Sequence, residues 1–189
     1  MIPTPETAPN LPISPYGVSK LAGEHYLRVL GSLHGFEGVA MRYANVYGPR
    51  QDPKSEAGVV SIFVSRLLAG QPLTVFGDGE QTRDYVFVRD VARANLLAGT
   101  AAVSRGDRLD VPAFNIATGR ETSVNQLAAA VGQALGRTPV IEYAPARPGE
   151  LNRSCLDVSK ASRELGWAPQ VGFDEGMRAL STWFQEEQA

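Results

Sequence analysis

Cysteine is nearly missing from this 189-residue chain: Cys155 stands alone, so no disulfide can close within it, and a reducing, cytoplasmic setting is the expectation. No apolar run approaches the roughly 18 residues of a membrane-spanning helix, and Met1-Ile2-Pro3-Thr4-Pro5 has neither the basic start nor the apolar core of a signal peptide. No block of like charge occurs and the net charge is −2, which argues against a nucleic-acid partner or an anionic membrane surface. His25, His34 and Cys155 have no partners at metal-ligand spacing, so no metal is expected and all three read as structural or surface residues. Lysine is scarce as well, with three against fifteen arginines. Arginine is the better fork for phosphate and carboxylate, although a GC-rich genome would bias composition the same way. What remains, 43% hydrophobic and 20% charged residues, describes an ordinary globular chain long enough to bury a core.

The most informative stretch is Ser14-Pro15-Tyr16-Gly17-Val18-Ser19-Lys20. A serine hydroxyl able to cap free N–H groups, followed by proline at the first helical position, predicts a helix start. Val18, Leu21, Ala22, Val29 and Leu30 recur at helical spacing, so a helix with one packed face should run to about Leu33, before Gly35. Tyr16 and Lys20 are four apart and leave the same face one turn apart. An ammonium beside a phenol favours the phenolate, which is one way to make a general base of a tyrosine. The pair alone also fits a solvated lysine beside a half-buried tyrosine.

The prolines at 3, 5, 9 and 12 leave the first dozen residues as an extended loop. Gly38 to Tyr43 reads as a strand, and Ala44 to Arg50 as a loop leaving it. Val59 to Ala69 carries a helical pattern closed by Gly70. Leu73–Phe76 is a strand, Gly77-Asp78-Gly79 a turn, and Thr82 to Val88 a second strand, with a helix from Arg89-Asp90 to about Ala98. Ala113 to Ala117 is a buried strand, and Thr122 or Ser123 caps a helix from Val124 to about Leu135, ended by Gly136. A strand at Val140–Tyr143, a short helix through Leu165 and a last helix from Asp174, with Met177, Leu180, Trp183 and Phe184 inward, complete an α/β pattern without internal repeats.

Five segments, SPYGVSKLAGE, RYANVYGPRQDP, LTVFGDGEQTRDYVFVRDVARA, FNIATGRETSVNQL and RPGELNRSCLDVSKASRELGW, resemble in order and spacing the extended short-chain dehydrogenase/reductase family. The likeness is nearest to its UDP-glucose 4-epimerase type. It covers nearly the whole chain. It implies an incomplete Rossmann-like parallel sheet at 1–47 and 85–120, and a small α/β lobe for the nucleotide sugar at 48–84 and 121–189. It also implies NAD as cofactor and C4 epimerisation of a UDP-hexose through a 4-keto intermediate. Tyr16 would then take and return the sugar proton, and Lys20 would hold the nicotinamide ribose. Tyr43, Ala44 and Val46 would lie along the cofactor. On the sugar-nucleotide side the resemblance assigns Asn45, Arg83 and Arg147 to diphosphate or sugar, and Glu150 to ribose hydroxyls. Thr74, Val75 and Phe76 would run along the base, with Val59, Val60 and Val124 also in that site. Taken singly, Arg83 also fits an ion pair with Asp84 or Asp90, and Tyr47 and Tyr85 read as packing residues.

One departure stands out. The family's strand, glycine-rich turn and helix for the dinucleotide do not precede Ser14. The chain therefore reads as the C-terminal portion of a longer enzyme, lacking roughly 100 residues or more of βαβ units. Its open sheet edge makes self-pairing or a homodimer an expectation. The alternatives are an inactive nucleotide-sugar-binding fragment, and a dehydratase or decarboxylase of the same family.

Overall fold

The computed structural model describes residues 1–52, 58–103, 106 and 108–187. Pro53, the last residue of RYANVYGPRQDP, lies outside the described residues. The first helix, α1 (Pro15–His34), begins where Ser14 Oγ accepts from Gly17 N at 3.1 Å and ends at Gly35, whose φ of 73° is the left-handed cap that glycine supplies without strain.

Strand β1 (Ala40–Tyr43) runs parallel to β6 (Ala113–Ile116), and the chain then continues into β2 (Asn45–Tyr47), parallel to β5 (Tyr85–Phe87). The expectation of a loop from Ala44 to Arg50 is thus corrected, because Ala44 N still donates to Ile116 O while Asn45 N donates to Asp84 O. At Ala44 the chain therefore changes strand partner. The single strand expected over Thr82 to Val88 is also divided. β4 (Thr82–Arg83) pairs antiparallel with β7 (Thr122–Ser123), and β5 starts only after Asp84. A fourth pair joins β3 (Leu73–Phe76) to β8 (Ile141–Ala144) in parallel.

Helices α2 (Val59–Leu68), α3 (Val88–Thr100), α4 (Val124–Leu135), α5 (Ser159–Leu165) and α6 (Phe173–Glu187) complete the order. In α4, Ser123 and Gln126 form a reciprocal capping box. The chain is α/β with parallel strand pairs, as its pattern predicts.

The core has two parts, and β5 divides them by strand alternation. Val86 packs with Val91, Phe114, Ile116, Leu165 and Trp167 on one face. Tyr85 and Phe87 point to the other, among Tyr47, Phe63, Leu73, Leu127, Met177 and Leu180. The proline-rich N-terminal segment is stitched down rather than loose: Thr4 N donates to Cys155 O, and the Glu6 carboxylate accepts from Asn115 N at 2.9 Å.

The packed face expected for α1 does not form. Gly31 is its only buried residue, and Val18, Val29 and Leu30 are each more than two-fifths exposed.

Candidate functional site

A cavity of about 460 Å³ lies between α2, β3 and the β4–β5 break. Val59, Ile62, Phe63 and Arg66 enter it from α2, at positions i, i+3, i+4 and i+7 of one helical face. Thr74 and Phe76 come from β3, Arg83 and Tyr85 from the two sides of Asp84, Asn45 from β2, and Val124 from the start of α4. Gln81 also lines it, and its Nε2 donates to Phe76 O at 2.8 Å, holding the end of β3. The loop after β8 contributes Arg147, whose guanidinium sits 3.8 Å from the Phe76 ring centroid, and Glu150.

Three guanidinium groups and one carboxylate face this cavity, so its wall carries an excess of positive charge. Arg83 is held from three directions: it donates to Thr82 O at 2.8 Å, to Leu151 O at 2.7 Å and to Glu150 Oε1 at 3.0 Å. Its partner is therefore Glu150 rather than Asp84 or Asp90. Asp84 is buried and accepts instead from Thr118 N, Thr118 Oγ1 and Gly119 N, while Asp90 accepts from Arg93, Gln170 N and Val171 N. Arg66 donates to Thr74 Oγ1 at 2.6 Å. A cavity of this size with apolar walls and fixed cationic forks suits a flat base joined to a polyanion.

Two residues expected in this site are not on its wall. Val60 and Val75 are 2% and 0% exposed and lie in the core. The reason is periodicity: Val60 is one step round α2 from Val59, and Val75 alternates with Thr74 and Phe76 across the pleat. The same spacing was the signal for what sequence reasoning missed, since Ile62, Phe63 and Arg66 follow from Val59 once that face is chosen.

A second cavity, of about 820 Å³, separates α1 from the β1–β2 segment. Tyr16, Lys20, Tyr43, Ala44 and Val46 all line it, so the structure brings these five together. Lys20 Nζ stands 5.0 Å from the centroid of the Tyr16 ring. Glu24 continues the same helical face at i+8 and grips Arg42 of β1 through two hydrogen bonds, Nε to Oε1 at 2.8 Å and Nη2 to Oε2 at 2.7 Å. That hydrogen-bonded carboxylate holds the Arg42 guanidinium above its ordinary pKa against the opposing effect of burial. Arg42 also donates to Glu6 O. This clamp ties α1 to β1 on the helical face that carries Tyr16 and Lys20.

Asn45 lines both cavities. It is the first residue after the change of strand partner, and so stands where the Tyr16–Lys20 wall meets the cationic one.

The description NAD dependent epimerase/dehydratase family belongs to the family model that matches residues 2–117. A UDP-glucose 4-epimerase of Mycolicibacterium smegmatis is 46% identical over 185 residues, covering 98% of this chain and 57% of that protein. A dTDP-glucose 4,6-dehydratase of Neisseria gonorrhoeae is 33% identical over 187 residues, with 95% and 53% covered. Among solved structures, the UDP-glucose 4-epimerase of Thermotoga maritima with UDP-glucose superposes with a TM-score of 0.90 at 46% identity, over all of this chain and 59% of that one. The chain thus spans little more than half the length of the curated relatives it matches.

Proposed function

Because this chain belongs to the NAD dependent epimerase/dehydratase family, we propose that it forms the Tyr–Lys wall and the substrate cavity of a nucleotide-sugar 4-epimerase acting on a UDP-hexose. The observation that carries the reading is Asn45, shared between a cavity holding Tyr16 and Lys20 and a cavity holding Arg66, Arg83 and Arg147. A ligand with its diphosphate on the arginines extends its sugar past Asn45 toward the phenol. The phenol needs only that reach to act as base on a sugar hydroxyl.

The residues along the larger cavity fit the nicotinamide end of NAD: one wall offers a phenol and an ammonium, and the opposite wall is strand backbone from Tyr43 to Val46. When bound, the cofactor supplies reversible hydride transfer at C4 of the sugar. The chain's own residues do the rest. Tyr16 accepts the C4 hydroxyl proton and later returns it. Lys20 holds ribose hydroxyls and supplies positive potential beside the phenol. Arg83 and Arg147 keep the diphosphate fixed while the sugar presents either face, and Glu150 accepts from the nucleotide ribose.

The dehydratase relatives favour a second reading. Elimination of water needs an additional acid–base carboxyl at the sugar. Among the described residues, the carboxylates lining the two cavities are Glu24 and Glu150, and both are held in ion pairs. In that reading the carboxyl would come from outside the walls of these two cavities, and the reaction product decides between the two.

Calorimetric titration tests the reading. The chain should bind UDP, and Arg83→Met should weaken that binding by at least tenfold. Supplied with NAD and UDP-glucose, it should form UDP-galactose rather than a 4-keto-6-deoxy sugar. UDP binding without turnover selects an inactive binding fragment, and absence of UDP binding sinks the assignment.

A further inference from the structure

Resting on the nucleoside diphosphate reading of the smaller cavity, we propose that Tyr85 is a substrate-binding residue whose hydroxyl donates a hydrogen bond to a phosphate oxygen of the ligand. Its hydroxyl oxygen is buried and has no hydrogen-bond partner, one of three such side-chain atoms among the described residues. Buried tyrosine hydroxyls ordinarily find an acceptor. Tyr85 is 3% exposed, yet it lines the cavity that also holds Arg66, Arg83 and Arg147.

The ring has little freedom to take its hydroxyl elsewhere. It lies edge-on to Tyr47 at 6.4 Å between centroids and 5.9 Å from Phe173, and the Tyr47 hydroxyl is already directed at Phe173 O. Its backbone is fixed in register opposite Asn45, and Asp84, bound to Thr118 and Gly119, stands between it and Arg83. Arg83, Tyr85 and Asn45 are thereby set side by side on one wall.

Chemistry selects the acceptor. Burial pushes the Tyr85 phenol up to about 12, so it remains a neutral donor and adds no negative charge beside an anion. A neutral donor next to fixed guanidinium groups complements a phosphate oxygen. In stability terms the hydroxyl is a cost to the folded chain, kept where a ligand oxygen offsets it.

Tyr85→Phe keeps the ring and deletes only the donor. The expected result is a Kd for UDP raised tenfold or more, the same factor for UDP-glucose, and a melting temperature without ligand higher by a few degrees. A UDP affinity within twofold of the parent overturns the proposal. So does a loss confined to UDP-glucose, which would direct the hydroxyl at the sugar, and so does a lowered melting temperature, which would make it a structural donor. If the parent chain itself fails to bind UDP, the function proposed above falls and this inference with it.

Discussion

Two helices, one reaching each cavity, are held by different physics. Helix α4, twelve residues long, buries Val124, Leu127, Ala128, Val131 and Gly132, and closes its first turn with a capping box. Helix α1 has twenty residues and buries Gly31 alone, while Tyr26, Val29, Leu30 and Leu33 are each more than two-fifths exposed. The cavity with the three arginines is therefore carved into a core that this chain builds for itself. The Tyr16–Lys20 wall stands on a helix with half-buried contacts, a Glu24–Arg42 clamp and the Ser14 cap. The arginine cavity and the Tyr16–Lys20 wall thus differ in how much local packing stands behind them, and the difference can be attacked at several points.

The largest contrast should come from matched truncations. Leu127→Ala in α4 should cost about 2–5 kcal/mol by urea unfolding, because it opens a cavity in close-packed surroundings. Leu33→Ala in α1 should stay within about 0.5 kcal/mol. Equal costs would erase the distinction between the two helices.

Next in size is Arg42→Met. It leaves the Glu24 carboxylate without its fork and should reduce the opening free energy of α1 by about 1–2 kcal/mol. Hydrogen exchange should show α1 amides losing protection while those of α4 keep theirs. Loss spread evenly over both helices would mean that the clamp supports the whole fold.

Ser14→Ala removes the side chain that accepts from Gly17 N and should cost about 1 kcal/mol or less, again read in the α1 amides. The smallest effect concerns pH at the buried Cys155–Asp84 contact. Burial first, and then the Asp84 carboxylate 3.7 Å away, push the Cys155 thiol from 9.0 up to about 11. The folded chain then binds more protons than the unfolded one between those values, so this contribution is complete below pH 9 and is lost as pH rises toward 11. Melting curves over that window should decline less steeply for Cys155→Ala than for the parent.

Local chemistry accounts for the helix ends and for the Tyr16–Lys20 pair. Ser14-Pro15 and Gly35, and Ser123 and Gly136, act on neighbours within a turn, and a four-residue separation places two side chains on one helical face whatever surrounds them. The same rule puts Val60 and Val75 in the core, while their neighbours Val59, Thr74 and Phe76 take the cavity side. Other features depend on residues distant in the chain. Strand β2 has three residues and exists because Asn45–Tyr47 finds β5 some forty positions later. The break at Asp84 reflects acceptors waiting for Thr118 and Gly119, and the partner of Arg83 lies 67 residues on, at Glu150.

By itself, then, the amino-acid order determined the α/β pattern, the helix limits, and the presence of a phenol–ammonium pair together with arginines suited to phosphate. Only the tertiary structure decided that Asn45 stands at the meeting of two cavities, that Glu24 ties α1 to Arg42 of β1, and that the Tyr85 hydroxyl is enclosed without an acceptor. Those are consequences of which distant segments pack together, and periodicity along a chain carries no record of that.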